Sequence, residues 1–119
     1  MTRRTAPIQS GPQHQAVLTW TEEQLQANAI NAAEQFGWSA YHTYDSRRSR
    51  AGFPDLVLWH PRQKRFLLRE LKTEQGVLSA TQTTTIQTMQ AAGADVAVWR
   101  PRDWVSQQII KELRGAVVA

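Results

Sequence analysis

The stretch from Gly52 to Gln82 sets three charged residues, Asp55, Glu70 and Lys72, in or beside two short apolar runs. The runs are Leu56 to Trp59 and Phe66 to Leu71, and the link between them contains Pro61 with charged and hydrogen-bonding neighbours, which predicts a β-hairpin. Charge buried in a strand is strongly unfavourable unless each ion is paired or holds a metal. Side chains at i and i+2 share a face, so Glu70 and Lys72 stand together above Phe66 and Leu68. If the strands pair about a centre between Arg62 and Gln63, Asp55 falls opposite Glu70. Cross-strand Cβ atoms are then roughly 4.5–5.5 Å apart, close enough for two carboxylates to share a divalent cation. Oxygen ligands of this kind suit Mg²⁺ or Mn²⁺ rather than Zn²⁺. A one-residue slip would turn one carboxylate away.

Charge around this centre has a pattern. Between Arg47 and Lys72 lie eight basic residues (Arg47, Arg48, Arg50, Arg62, Lys64, Arg65, Arg69 and Lys72) and only two acids, Asp55 and Glu70. A basic surface surrounding a small acidic centre is what a phosphodiester substrate and a cation jointly require; the alternative is a solvated basic face without function. At 119 residues the chain suits one domain, expected over residues 20–119 behind a loosely ordered arm at 1–19. It has no cysteine, no apolar run of membrane-spanning length and no apolar centre near its N-terminus like that of a signal peptide. A soluble, intracellular protein with no membrane partner is therefore expected.

Taken in order, Thr21 and Gln24 fit a capping box, with Trp20 and Leu25 placed as a hydrophobic staple. Leu25, Ala29, Ala32, Ala33 and Phe36 mark one helical face, and Gly37 offers a stop. Glu22 lies on the side of Leu25, Gln26 and Ala29; it either looks inward or simply favours the helix dipole, as Glu23 would. Trp38 to Tyr44 reads as a first strand, entering a basic loop from Asp45 to Gly52 that is placed to hold phosphates. His42 is either a substrate contact or a packed strand histidine. Ser79 and Gln82 form a second capping-box candidate on a helix running to about Ala92, stopped by Gly93. Gln82 either caps or also reaches a nucleotide or a metal-bound water. Asp95 to Trp99 predicts another strand, Arg100-Pro101-Arg102 a break, and Asp103 the cap of a last helix with Val105, Ile109 and Leu113 on one face. The order α-β-β-β-α-β-α, a hairpin followed by a strand–helix–strand crossover, implies an α/β fold with a mixed central sheet flanked by helices.

Gly52-Phe53-Pro54-Asp55-Leu56, then Glu70-Leu71-Lys72, then Ser79 to Gln82 resemble the PD-(D/E)xK nuclease superfamily. More closely the chain resembles the virus-type replication-repair nuclease (VRR-NUC) branch, to which Trp38 after Gly37, His42 to Arg50, and Val96 to Pro101 are also similar. The resemblance covers about Thr21 to Leu113 and implies a restriction-endonuclease-like core and Mg²⁺- or Mn²⁺-dependent hydrolysis of DNA. By that resemblance Asp55, Glu70, the backbone carbonyl of Leu71 and Glu22 are metal ligands. Lys72 orients or activates the attacking water, and Gln82 is an accessory polar residue. Stand-alone relatives of this size belong to phages and resemble junction-resolving dimers, which implies a homodimer working in the cytoplasm of a bacterial host.

These readings converge on a metal-dependent, structure-selective DNA endonuclease, with Holliday junctions among its candidate substrates. His42, Arg47, Arg48 and Arg50 are the expected DNA contacts. A non-cleaving nucleic-acid-binding accessory protein with the same fold is the alternative, and Lys72 is open between base and charged positioner.

Overall fold

A computed structural model describes residues 12–43 and 50–115. Nine elements follow one another: α1 (Pro12–Leu18), α2 (Glu22–Gln35), β1 (Ser39–His42), β2 (Leu56–His60), β3 (Arg65–Leu71), α3 (Ala80–Ala91), β4 (Asp95–Trp99), α4 (Pro101–Val105) and α5 (Gln108–Arg114). The strands form one sheet in the order β1-β2-β3-β4. The first two pairings are antiparallel and the third is parallel. A parallel neighbour needs a crossover, and α3 supplies it.

Hairpin register follows the expected centre: Leu56 pairs with Arg69, Val57 with Leu68 and Leu58 with Leu67. Leu56, Leu58, Leu67 and Leu71 turn to one face and pack with Leu25, Ala29, Ala32 and Ala33 of α2 and with Ile109 and Leu113 of α5. Leu68 and Val96 turn to the other face and pack with Ile86 of α3. Each face thus has its own apolar layer, as alternation along β3 requires.

The first two helix caps form as their spacing predicts, whereas Asp103, expected to cap the last helix, lies in its first turn with Arg100 as the cap. Thr21 and Gln24 close a capping box at α2, as do Ser79 and Gln82 at α3. Gly37, at φ +93°, ends α2 and lets Trp38 N–H donate to Ala33 O at 2.9 Å.

Two segments differ from expectation. Within the expected arm, Pro12–Leu18 form α1, which packs on α4; nearby, the Trp20 and Trp104 rings lie 5.5 Å apart. The last helix is divided into α4 and α5, because Gln107 takes a left-handed conformation at φ 71°. Pro101 opens α4 as its first residue, where the missing N–H costs nothing, and Asp103 Oδ2 accepts from Arg100 N–H at 2.8 Å. No helix of the described residues is long and apolar enough to cross a membrane.

Candidate active site

Asp55 is the residue before β2, and its position is fixed twice. Its carbonyl accepts from Thr43 N–H at 3.2 Å, and its Oδ2 accepts from Leu71 N–H at 2.8 Å. The second bond ties the carboxylate to the backbone between Glu70 and Lys72. Glu70 is 2% exposed. Its Oε2 accepts from Gln82 Nε2 at 3.0 Å, whereas Oε1 is buried and meets no hydrogen-bond donor. The Asp55 carboxylate beside it is also an acceptor, so the two coexist only by sharing a proton or a cation. Burial first, then the charge of Asp55, pushes the Glu70 carboxyl up to about 8, with Lys72 opposing the rise.

Gln82 forms the expected cap, and its amide also meets Glu70. Its Oε1 accepts from Ser79 N–H at 2.9 Å to close the cap, leaving Nε2 for Glu70. Lys72, half-buried, follows β3 and donates its backbone N–H to Trp99 O at 3.1 Å. Glu22 opens α2 above the same site. Its carboxyl is raised by partial burial and by Asp55, while Lys72 lowers it.

An open cleft of about 440 Å³ lies here, lined by Glu22, Gln26, His42, Thr43, Asp55 and Leu71 among others. Gln26, one helical turn after Glu22, places its Nε2 3.3 Å from His42 Nδ1. It was legible only as a neighbour of Glu22 at helical spacing. The fold therefore brings Glu22, His42, Asp55, Glu70, Leu71, Lys72 and Gln82 to one end of the sheet. Arg50 lies apart, exposed beside Thr81, Thr84 and Thr85 of α3. Arg47 and Arg48 fall outside the described residues.

The basic rim is smaller than the count of basic residues implies. Arg69 is 3% exposed and turns away from Glu70. It pairs with Asp95 and Glu112 at 3.0 Å each and stacks over Trp99. Arg65 likewise lies over Trp38. Strand alternation sends Arg69 to the α5 face, where it clamps the helix to the sheet.

The donor set fits a small hard cation. Among the described residues no three His, Cys, Asp or Glu side chains converge on one point. Mg²⁺, however, is ordinarily held by one or two carboxylates, with water completing its shell. The buried Glu70 oxygen without a donor, beside a second carboxylate, is suited to a positive charge.

The family model described as the VRR-NUC domain matches residues 2–103. The chain belongs to the VRR-NUC family. A solved VRR-NUC domain shares the fold, with a TM-score of 0.64 at 24% identity over 76% of this chain and 97% of that one. The mixed sheet and its flanking helices are thus the restriction-endonuclease-like core expected from the motif order. Similar curated proteins include a Fanconi-associated nuclease 1 homolog from Schizosaccharomyces pombe, 38% identical over 47% of this chain and 8% of that protein. Fanconi-associated nuclease 1 from Ailuropoda melanoleuca is 41% identical over 45% of this chain and 5% of its own. This VRR-NUC chain therefore matches only a small part of those much longer nucleases.

Proposed function

We propose that the chain is a divalent-cation-dependent DNA endonuclease selective for branched or otherwise structured substrates, four-way junctions among them. The observation that carries this reading is buried Glu70 beside half-buried Asp55, with one Glu70 oxygen that no donor meets. Mg²⁺ or Mn²⁺ would be held by Asp55, Glu70 and the Leu71 carbonyl, with Glu22 approaching from α2. When bound, such an ion neutralises charge developing on a phosphate and makes a water more acidic.

The chain's own residues do the rest. Asp55 is kept in place by Leu71 N–H, and Gln82 keeps Glu70 oriented so that its second oxygen faces the site. Lys72 stands on the same face as Glu70 and orients the attacking water or takes its proton. His42 and Arg50, with Arg47 and Arg48 between them in the sequence, contact the DNA backbone.

A homodimer is part of this proposal. The α3 layer covers β3 and β4 but leaves Tyr41, Val57, Trp59 and Phe66 as an apolar surface on β1, β2 and the start of β3. Tyr41, Trp59 and Phe66 are 57%, 40% and 56% exposed, and a second copy seated there would cover them.

The test is cleavage of labelled four-way junction, flap, duplex and single-stranded DNA with Mg²⁺, Mn²⁺ or EDTA, comparing wild type with Asp55→Ala. Products that require the cation and disappear in the variant are expected. Binding without cutting under every condition would move the chain to a non-cleaving accessory role.

A further inference from the structure

Between Lys72 and the Ser79 cap runs a segment without regular structure, Thr73 to Leu78, which joins the end of β3 to the start of α3. Turn formation accounts for part of its order, since Gly76 N–H donates to Thr73 O at 3.2 Å. The remainder comes from the end of β4. Arg100 Nη1 donates to the carbonyls of Thr73 and Gly76, each at 2.7 Å, and lies 3.5 Å from that of Glu74. Arg102 adds an outer clasp, its Nε donating to Glu74 Oε2 at 2.8 Å and its backbone N–H to Glu74 Oε1 at 3.0 Å.

Lys72 rests on this turn. A Cβ built at Gly76 would lie 2.9 Å from Thr73 Oγ1 and 3.5 Å from Lys72 Cδ, so the stem of the lysine passes over the glycine. Parallel pairing of Leu71 with Trp99 brings the ends of β3 and β4 side by side. Arg100 is in turn fixed by its backbone N–H to Asp103 Oδ2 at 2.8 Å. A guanidinium that bonds carbonyls instead of a carboxylate adds no competing anion beside Lys72. Charge-assisted bonds to main-chain oxygens are among the stronger ones available to hold a turn.

We infer that Arg100 is a positioning residue of the active site: by gripping the Thr73–Gly76 turn it sets Lys72 and Gln82 against Glu70. The inference rests on the nuclease reading. The Arg100 side chain is engaged with the turn carbonyls, so its expected effect, through Lys72 and Gln82, is on turnover. Displacement of a reacting group by about 1 Å costs on the order of 100-fold in rate.

Two full-length variants approach the turn from opposite sides. Arg100→Gln removes the grip, and Gly76→Ala crowds Thr73 Oγ1 beneath the Lys72 stem without touching the arginine. Steady-state cleavage with Mg²⁺ or Mn²⁺, on whichever DNA the wild type cuts, is combined with amide hydrogen exchange and thermal melting. In both variants kcat is expected to fall about 10- to 100-fold with KM within about twofold. Exchange should rise in the 73–78 segment while α2, β2 and β3 keep their protection. Unchanged kcat in Arg100→Gln overturns the inference. So does a loss carried by KM, which would make Arg100 a DNA contact, or exchange rising throughout the chain, which would make it a general stabiliser. A wild type that cuts nothing overturns the nuclease reading and this inference with it, and the wild-type lane tells that failure from the others.

Discussion

Gln82 holds Glu70 by donating its side-chain amide to one carboxylate oxygen at 3.0 Å, while its own carbonyl oxygen closes the cap on α3. One side chain thus joins the start of a helix to an acid buried in the sheet. The arrangement needs an amide, because the two ends of Gln82 play opposite roles, acceptor toward Ser79 and donor toward Glu70.

Gln82→Glu keeps the acceptor for Ser79 N–H but sets a third carboxylate against Glu70. A further negative charge raises the Glu70 pKa, so the rising limb of the pH–rate profile should move to higher pH. The change in melting temperature should be small, because the cap survives. Cleavage rates from pH 5 to 10 with Mg²⁺ would show the displacement, and an unmoved limb would mean that Glu70 does not control it.

Metal-free stability should depend on pH through the same group. Glu70 is raised from 4.5 to about 8 in the folded chain, so the fold binds its proton more tightly than the unfolded state does. That contribution is full below pH 4.5 and is lost as pH rises through about 8. In EDTA the melting temperature should therefore fall across this window, and less so in Glu70→Gln. Added Mn²⁺ should restore more stability at the alkaline end, where it no longer competes with the proton. Calorimetric melts with and without cation at several pH values measure both effects.

Substitution can separate the structural role of Asp55 from the chemical role proposed for it. Asp55→Ala strands the Leu71 N–H, an unmet donor that costs about 1–3 kcal/mol, whereas Asp55→Asn retains an oxygen to accept it. Both variants should lose cleavage by at least about 100-fold, but only the alanine should lower the urea midpoint substantially. Near-wild-type turnover in the asparagine variant would remove Asp55 from the chemistry.

Phe66 is half-exposed on the uncovered part of the sheet and stacks on Trp59 with ring centroids 6.5 Å apart. Phe66→Asp should convert a dimer to a monomer without loss of secondary structure, as sedimentation velocity and circular dichroism would report. A wild type that sediments as a monomer at every concentration would leave the apolar surface unexplained by self-association.

The hairpin was legible from sequence because its charges break an otherwise apolar pattern, and only one register pairs them. Leu56 opposite Arg69 is that register. The caps at Thr21 and Ser79 were legible because they are local, each made within four residues. What escaped depends on distant partners. Strand alternation alone turns Arg69 away from Glu70, but nothing near it announces Glu112, which lies 43 residues on. Likewise α1 is too short to stand alone and forms against α4, and the left-handed Gln107 that splits the last helix carries no glycine to mark it. For the site, residue types at fixed spacing identified the carboxylates and the lysine. The grip of Arg100 on the turn depends on how the ends of β3 and β4 meet, which spacing does not encode.

The bond from Leu71 N–H to Asp55 couples assembly to chemistry. A chain whose hairpin closes one residue out of step loses that bond and separates the two carboxylates at once. On the nuclease reading proposed above, a chain out of register therefore lacks the assembled carboxylate pair on which cleavage depends.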